Sequence, residues 1–331
     1  MKKTFIDYLR FRFKSSPFEA LQALLPAFGF ISSDLLELGG EERGKDGWES
    51  RRPLILADEQ VIAWVDYGGE SQRGWARWDM SGEGCSWISD WEKVANAMEA
   101  ISGQLRRVDI ALDYFAGEVT HDDVLAAYQS GLFKRPHVGR SPKLKKVETS
   151  CPTDGRTLYI GSRASSRFIR CYEKGWEMLA KVNAPEWVKN NSEAVEFRRG
   201  IKSPAKDYYR LEVELKAIDG VLLPPAVLSE PDSFFAGAAP WFETLIDAAP
   251  LRPLSPPNDF FQRKTLESVI HHCRAAYGGM FCALLDLYGD TLEAKAKIFD
   301  LVCGSVPSTK LVNAGCLSLP VSALPAKESE K

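Results

Sequence analysis

The chain has 331 residues, 45% of them hydrophobic and 26% charged, with a formal net charge of −3. These values fit a folded globular chain of one large domain or two ordinary ones, and they exclude a globally basic nucleic-acid binder. Seven cysteines, odd in number and without a CxxC pair, argue against a disulfide framework or a zinc ribbon and for reduced thiols.

The opening segment, MKKTFIDYLRFRF, alternates over residues 4–13 and predicts a first strand. Asp7, Arg10 and Arg12 break its apolar character, so it lacks a signal-peptide core. No apolar run approaches the length of a membrane span. A helix is expected from Pro17 to Ala27, with Phe18, Leu21, Leu24 and Leu25 on one face. Residues 37–52 read as a charged loop. Strands follow at Val61–Tyr67, Trp75–Met80 and Cys85–Ile88, separated by Gly-rich turns. Trp91–Leu105 has helical spacing, Arg106–Tyr114 reads as a strand, and His121–Gly131 as a short helix closed by its glycine.

A basic loop spans residues 134–146. Two strands, Gly155–Ile160 and Arg167–Tyr172, a helix at Glu173–Val182 and a strand at Tyr208–Ala217 come next. The alternation predicts an α+β class with a mainly antiparallel sheet and flanking helices over residues 1–220. Eight of the nineteen prolines fall between Leu222 and Pro257, which predicts an extended connection over 221–257. A small helical C-terminal region is expected over 258–305, as helices Phe260–Ala276, Met280–Tyr288 and Thr291–Cys303 broken by glycines. Residues 306–331 read as a disordered tail.

Chemistry concentrates between Lys134 and Lys174, where eleven Lys and Arg face three Asp and Glu. Such an excess is the footprint of a polyanion site, with Lys143, Lys145, Lys146, Arg163 and Arg167 as candidate DNA contacts. In the strand Arg167–Tyr172 a period of two puts Arg170 and Tyr172 on one face, a phenol beside a guanidinium suited to phosphate. Cys171 then points the other way as a small core residue.

Two strands carry acids on one face: Arg107-x-Asp109-x-Ala111-x-Asp113 and Arg210-x-Glu212-x-Glu214. Converging carboxylates must be neutralised, and oxygen-only ligation suits Mg²⁺ or Mn²⁺. Cross-strand salt bridging by Arg107 and Arg210 is the structural alternative. Of the four histidines, His121 precedes two aspartates at a helix start, His137 lies in the basic loop, and His271 and His272 adjoin far downstream. No His-hydrophobe-His strand is present. Trp75, Trp78, Trp176 and Trp187 are candidates for base stacking.

The segment GRTLYIGSRASSRFIRCYEKG resembles the signature of the Rep_trans family of replication initiators, with Arg107-Val-Asp-Ile-Ala-Leu-Asp-Tyr before it and Tyr209-Arg-Leu-Glu-Val-Glu-Leu after it. FIDYLRFRF and WDMSGEGC are similar to phage-type members in particular. The resemblance covers about the first two-thirds of the chain. It implies a catalytic domain like those of the HUH endonucleases, acting in rolling-circle replication of plasmids, integrative elements or filamentous phages.

It further implies that Tyr172 attacks DNA to give a 5′-phosphotyrosine, with Arg170 and Lys174 stabilising charge and Mg²⁺ or Mn²⁺ on Asp109, Glu212 and Glu214; Asp79 is a weaker ligand candidate. The implied partners are single-stranded or extruded origin DNA, a host helicase and polymerase, and a second copy in a homodimer, with no membrane, in the cytoplasm of a bacterial host. Arg263, Lys264 and Arg274 are expected base-reading contacts in the C-terminal helices. A non-catalytic origin-binding regulator, a relaxase of an integrative element and a water-using phosphohydrolase are the competing readings.

Overall fold

The computed structural model describes residues 3–28, 36–57, 59–134, 141–151, 154–182, 205–218, 222–250, 260–289, 291–293 and 296. It divides into two units, residues 1–254 and 255–331.

One antiparallel sheet organises the first unit. Its strands are β1 (Phe5–Phe13), β2 (Leu36–Leu38), β3 (Glu42–Arg43), β4 (Ser50–Leu56), β5 (Val61–Tyr67), β6 (Ala76–Met80), β7 (Gln104–Tyr114), β8 (Leu144–Val147), β9 (Thr157–Gly161), β10 (Arg167–Tyr172) and β11 (Tyr209–Lys216). The order across the sheet is β2-β4-β5-β6-β1-β7-β11-β10-β9-β8, with β3 paired to β4. The α+β class expected from the sequence is the class observed.

Alternation gives the sheet two unlike faces. On β1, Ile6, Leu9, Phe11 and Phe13 are buried, while Asp7, Tyr8, Arg10 and Arg12 are half-buried. The apolar side packs against helices. Leu21 and Leu24 of α1 (Pro17–Leu24) and Val94 and Met98 of α3 (Trp91–Ala100) join Phe11, Phe13, Ile110 and Val213 in one core. Ser16 and Glu19 form a capping box that fixes the start of α1. Thr120 and Asp123 form another at α4 (His121–Gln129). The polar side carries the charged residues of β7, β10 and β11 and holds the candidate site.

Several expectations change. Phe18 is exposed, and α1 buries Ala20 beside the expected Leu21 and Leu24. The 37–52 loop contributes β2 and β3 and runs into β4, hidden in the sequence by the charge at its start and by Pro53, which pairs with Trp64. Cys85–Ile88 is no strand: Gly82–Ser86 is a short helix, α2, in which the Cys85 amide donates to the Ser81 carbonyl at 2.9 Å. The basic loop yields the edge strand β8, while residues 135–140, with His137, lie outside the described residues.

The proline-rich segment is not an extended connection where it is described. Ala226–Ser229 (α6) and Pro231–Ala236 (α7) are helical, and Phe234, Phe235 and Phe242 are buried in the core. Burying each of those rings contributes about 1.5–3 kcal/mol, enough to hold a segment that local propensity leaves open. The Thr4 amide and hydroxyl both donate to Asp232, at 2.8 and 2.6 Å, joining α7 to the chain start.

In the second unit a single 29-residue helix, α8 (Phe260–Tyr288), replaces the first two predicted helices. It runs through Gly278-Gly279, whose cost of roughly 1 kcal/mol each a long helix absorbs. Gly289, at φ +69°, ends it. Most of the third predicted helix lies outside the described residues, as does the tail.

Candidate active site

The site grows from the register of three neighbouring strands. Arg170 of β10 pairs with Glu212 of β11, which pairs with Ala111 of β7. One row along, Tyr172 pairs with Arg210 and Arg210 with Asp113; one row the other way, Phe168 pairs with Glu214 and Glu214 with Asp109. Acids and cations from successive rows interleave on the polar face.

Tyr172 donates from its hydroxyl to Glu212 Oε2 at 3.4 Å. Burial pushes its phenol well above the usual 10.0; Arg210 pulls it back, and the Glu212 charge adds to the rise. Glu212, 1% exposed, also accepts from Arg170 Nη2. Burial, and then the charge of Asp109, raise its carboxyl from 4.5 to about 8, against the pull of Arg170. Arg170 Nη2 also reaches Asp109 Oδ2 at 3.3 Å. Its Nε is buried with no hydrogen-bond partner among the described residues.

Asp109, also 1% exposed, is gripped by Arg107 through two bonds of 2.7 and 2.6 Å. Glu214 is held by Arg107 at 2.9 Å and by Lys216 at 2.7 Å. Beside Tyr172, Arg210 makes a two-pronged bond to Asp113, at 2.7 and 2.8 Å, and reaches Asp7 at 3.0 Å. Asp7 owes its place to a bulge: Ile6 pairs with Ile110 and Tyr8 with Asp109, leaving Asp7 as the extra residue. Arg107 and Arg210 thus do bridge the acids across strands, as the structural alternative requires. The described residues contain no group of three or more His, Cys, Asp or Glu placed to hold a metal ion.

Around this centre the predicted residues separate. Lys174 is 4% exposed, pairs with Glu177 at 3.0 Å and lies 5.7 Å from the centre of the Tyr172 ring. It starts α5 (Lys174–Val182), whose approach depends on Gly175, where a Cβ would stand 2.2 Å from the Ala205 carbonyl. Lys145 pairs with Tyr159, which pairs with Arg170, so this exposed lysine continues the Arg170 row, next to that of Tyr172, to the sheet edge. Lys143 and Lys146 are exposed beside it. Arg163 lies 5.1 Å from the Phe168 ring centre and 5.5 Å from that of Tyr159.

Arg167 departs from expectation. It is buried on the Ile169 and Cys171 side of β10, because odd and even positions of a strand face opposite ways. Asp79 is bound by the Tyr8 hydroxyl at 2.5 Å and by Arg10 at 3.0 Å. Trp78 is fully buried, stacked on Phe11, and offers no surface to a base; Trp187 lies outside the described residues. His121, the first residue of α4 after the Thr120 cap, is a buried ring 3.3 Å from the Tyr209 hydroxyl. In α8, Arg274 is exposed, while the side chains of Arg263 and Lys264 are outside the described set. Sequence reasoning gave no role to Asp7, Tyr8 or Lys216; the bulge that aims Asp7 leaves no mark in composition.

Residues 103–227 match the model of the replication initiation factor family, Rep_trans, so the resemblance carried by the three motifs stands over that segment. No curated protein matches the sequence. Among solved structures, the chain is similar to a rolling circle replication initiator protein from Geobacillus stearothermophilus. The likeness has 18% identity and a TM-score of 0.46, covering 65% of this chain and 75% of that one.

Proposed function

We propose that this protein initiates rolling-circle replication by nicking one strand of its origin through Tyr172 and later rejoining it. The observation that carries the reading is the Tyr172–Glu212–Arg170 constellation, a phenol bonded to a buried carboxylate beside a guanidinium, inside the segment that matches replication initiation factors.

The chemistry follows from the state of each group. Tyr172 is protonated at rest, since burial disfavours the phenolate. Glu212 accepts its hydrogen bond, and with its carboxyl raised to about 8 it takes the phenol proton from its ionised form, whose share grows as pH rises through that value. The Tyr172 oxygen attacks phosphorus, and its proton passes to Glu212. The bond to the 3′ oxygen breaks, and that oxygen leaves as a hydroxyl after taking a proton. The products are a 5′-phosphotyrosine and a free 3′ end. The covalent link conserves the phosphodiester, so attack by a 3′ hydroxyl reverses the step and reseals the strand. The half-buried Arg170 guanidinium sets a positive charge beside the phenol, where charge develops on the phosphate.

Asp109 and Glu212 fit a divalent ion. They are two buried carboxylates in mutual contact, and their repulsion, read in the raised Glu212, is what a cation relieves. Glu214 would join them once released from Arg107 and Lys216. Bound there, Mg²⁺ or Mn²⁺ would polarise the scissile phosphate. A second reading, a strand-binding regulator without cleavage, draws on the same acids being saturated by arginines.

A denaturing gel of the protein with a labelled single-stranded origin oligonucleotide and manganese separates the two. A protease-sensitive covalent adduct that disappears in Tyr172→Phe supports nicking. Binding with no adduct under any divalent ion supports the regulator, and an adduct that survives Tyr172→Phe moves the nucleophile elsewhere.

A further inference from the structure

Beyond Glu214, the polar face of the sheet opens into a groove of about 770 Å³. Seven cations line it, with no carboxylate among the described lining residues. Strand geometry explains the concentration. Arg10 and Arg12 stand at i and i+2 of β1 and leave the same face. Opposite them, Arg10 pairs with Arg107 while Phe11 pairs with Leu105, so Arg106 is a bulge residue, and Arg106 and Arg107 both line the groove.

Two of the cations are not spent on acids. Arg12 donates to the neutral Gln104 Oε1 at 2.9 and 2.7 Å, and Arg73, exposed, has no ion-pair partner among the described residues. Two half-buried indoles, Trp48 and Trp75, complete the walls. The Arg12 guanidinium lies 4.2 Å from the Trp75 ring centre, and that of Arg77 lies 5.5 Å from the centre of Trp48. A guanidinium–indole layer is a platform on which a further flat ring stacks.

We infer that this groove binds an unpaired nucleic-acid strand, with phosphates on Arg12 and Arg73 and a base against Trp75. The strand is the continuation of the one cut at Tyr172, so this part of the inference rests on the proposed function. Continuity comes from Arg107 and Lys216, which hold Glu214 in the acid cluster and also line the groove. Along β11 the distance from Arg210, opposite Tyr172, to Lys216 is six residues, about 20 Å, or a few nucleotides of extended strand. An unpaired strand is favoured over a duplex because indole faces inside a groove meet only bases free to leave a stack.

The test uses the full chain and fluorescence anisotropy with a labelled oligonucleotide of about twenty thymidines, in chelator, so that binding is read without cleavage. Arg12→Gln combined with Arg73→Gln is expected to weaken binding about tenfold or more. The slope of log affinity against log salt should fall by about 1.4, the value for two phosphate contacts on a single strand. Trp75→Ala is expected to lose about five- to a hundredfold on the thymidine strand and nothing on an abasic strand of equal length. The exposed Arg73→Gln alone keeps the test open should the double variant fail to fold.

Unchanged affinity and slope overturn the groove, and so does an equal loss on a matched duplex. Strand binding that responds to these variants with no covalent adduct overturns the nicking reading and leaves the groove standing. Full adduct formation with unaltered strand affinity does the reverse.

Discussion

The acid cluster at Tyr172 and the groove at Trp75 occupy one face of one sheet, and they use arginine in opposite ways. In the cluster, the residue two along from the arginine is an acid: Arg107-x-Asp109 and Arg210-x-Glu212. Its cations close onto carboxylates within a strand, as in the 2.6 Å contact from Arg107 to Asp109, and across strands, as in the 2.9 Å contact from Arg107 to Glu214. In the groove, the residue two along is another cation, Arg10-x-Arg12; Arg10 closes onto Asp79, and Arg12 is left to a neutral amide. The same side chain is a counter-ion in one place and an unspent phosphate donor in the other. The difference lies in what strand periodicity sets beside it.

The largest expected effect is at the nucleophile. Tyr172→Phe should abolish the covalent adduct on a denaturing gel while leaving affinity for a single strand unchanged, since only the hydroxyl is lost. A loss of affinity as large as the loss of adduct would mean that the cluster, and not the groove, binds the strand. Next comes the proton acceptor: Glu212→Gln should slow nicking by about 10²- to 10⁴-fold, the usual contribution of a general base. A rate within threefold of wild type would remove Glu212 from that role.

Metal binding sharpens the same contrast without reference to activity. Millimolar Mn²⁺ should raise the melting temperature of the wild-type chain, by mass action on the folded state, and should not raise that of Glu212→Gln. An equal rise in both removes Glu212 from the ligand set.

Stability should divide the two regions as well. Arg107→Ala takes the shared partner from two buried carboxylates, leaving Asp109 to the longer Arg170 contact and Glu214 to Lys216, and is expected to cost about 3 kcal/mol by denaturant titration. Arg12→Ala, which deprives no carboxylate, should cost about 0.5 kcal/mol or less. Equal costs would erase the distinction between counter-ion and free donor.

The smallest effect lies outside both regions. Burial, followed by the charge of Arg156, lowers the His121 pKa below 6.5, against Glu173, Glu148 and Asp122. Because the unfolded chain takes the proton first, stability present above about pH 6.5 is lost as pH falls through the folded value. His121→Gln should flatten that acid limb; an unchanged slope of melting temperature against pH would assign it to other groups.

The sequence by itself determined the strands that matter and the faces of their side chains. A period of two is a property of the extended backbone, so Arg170 and Tyr172, Asp109 and Asp113, and Glu212 and Glu214 fall on shared faces wherever the strands go. The same rule, applied strictly, turns Arg167 away from Tyr172. The tertiary structure decided which strands adjoin, because register between β10, β11 and β7 depends on pairings more than forty residues apart in sequence, such as Arg170 with Glu212.

It also decided the bulges at Asp7 and Arg106, which redirect side chains that strict alternation places elsewhere. The proline-rich segment shows the same division. Its composition predicts extension, and only the core, by burying Phe234, Phe235 and Phe242, holds its helices in place. Local backbone geometry is written residue by residue, whereas burial and strand register belong to the whole fold and no short window of sequence carries them.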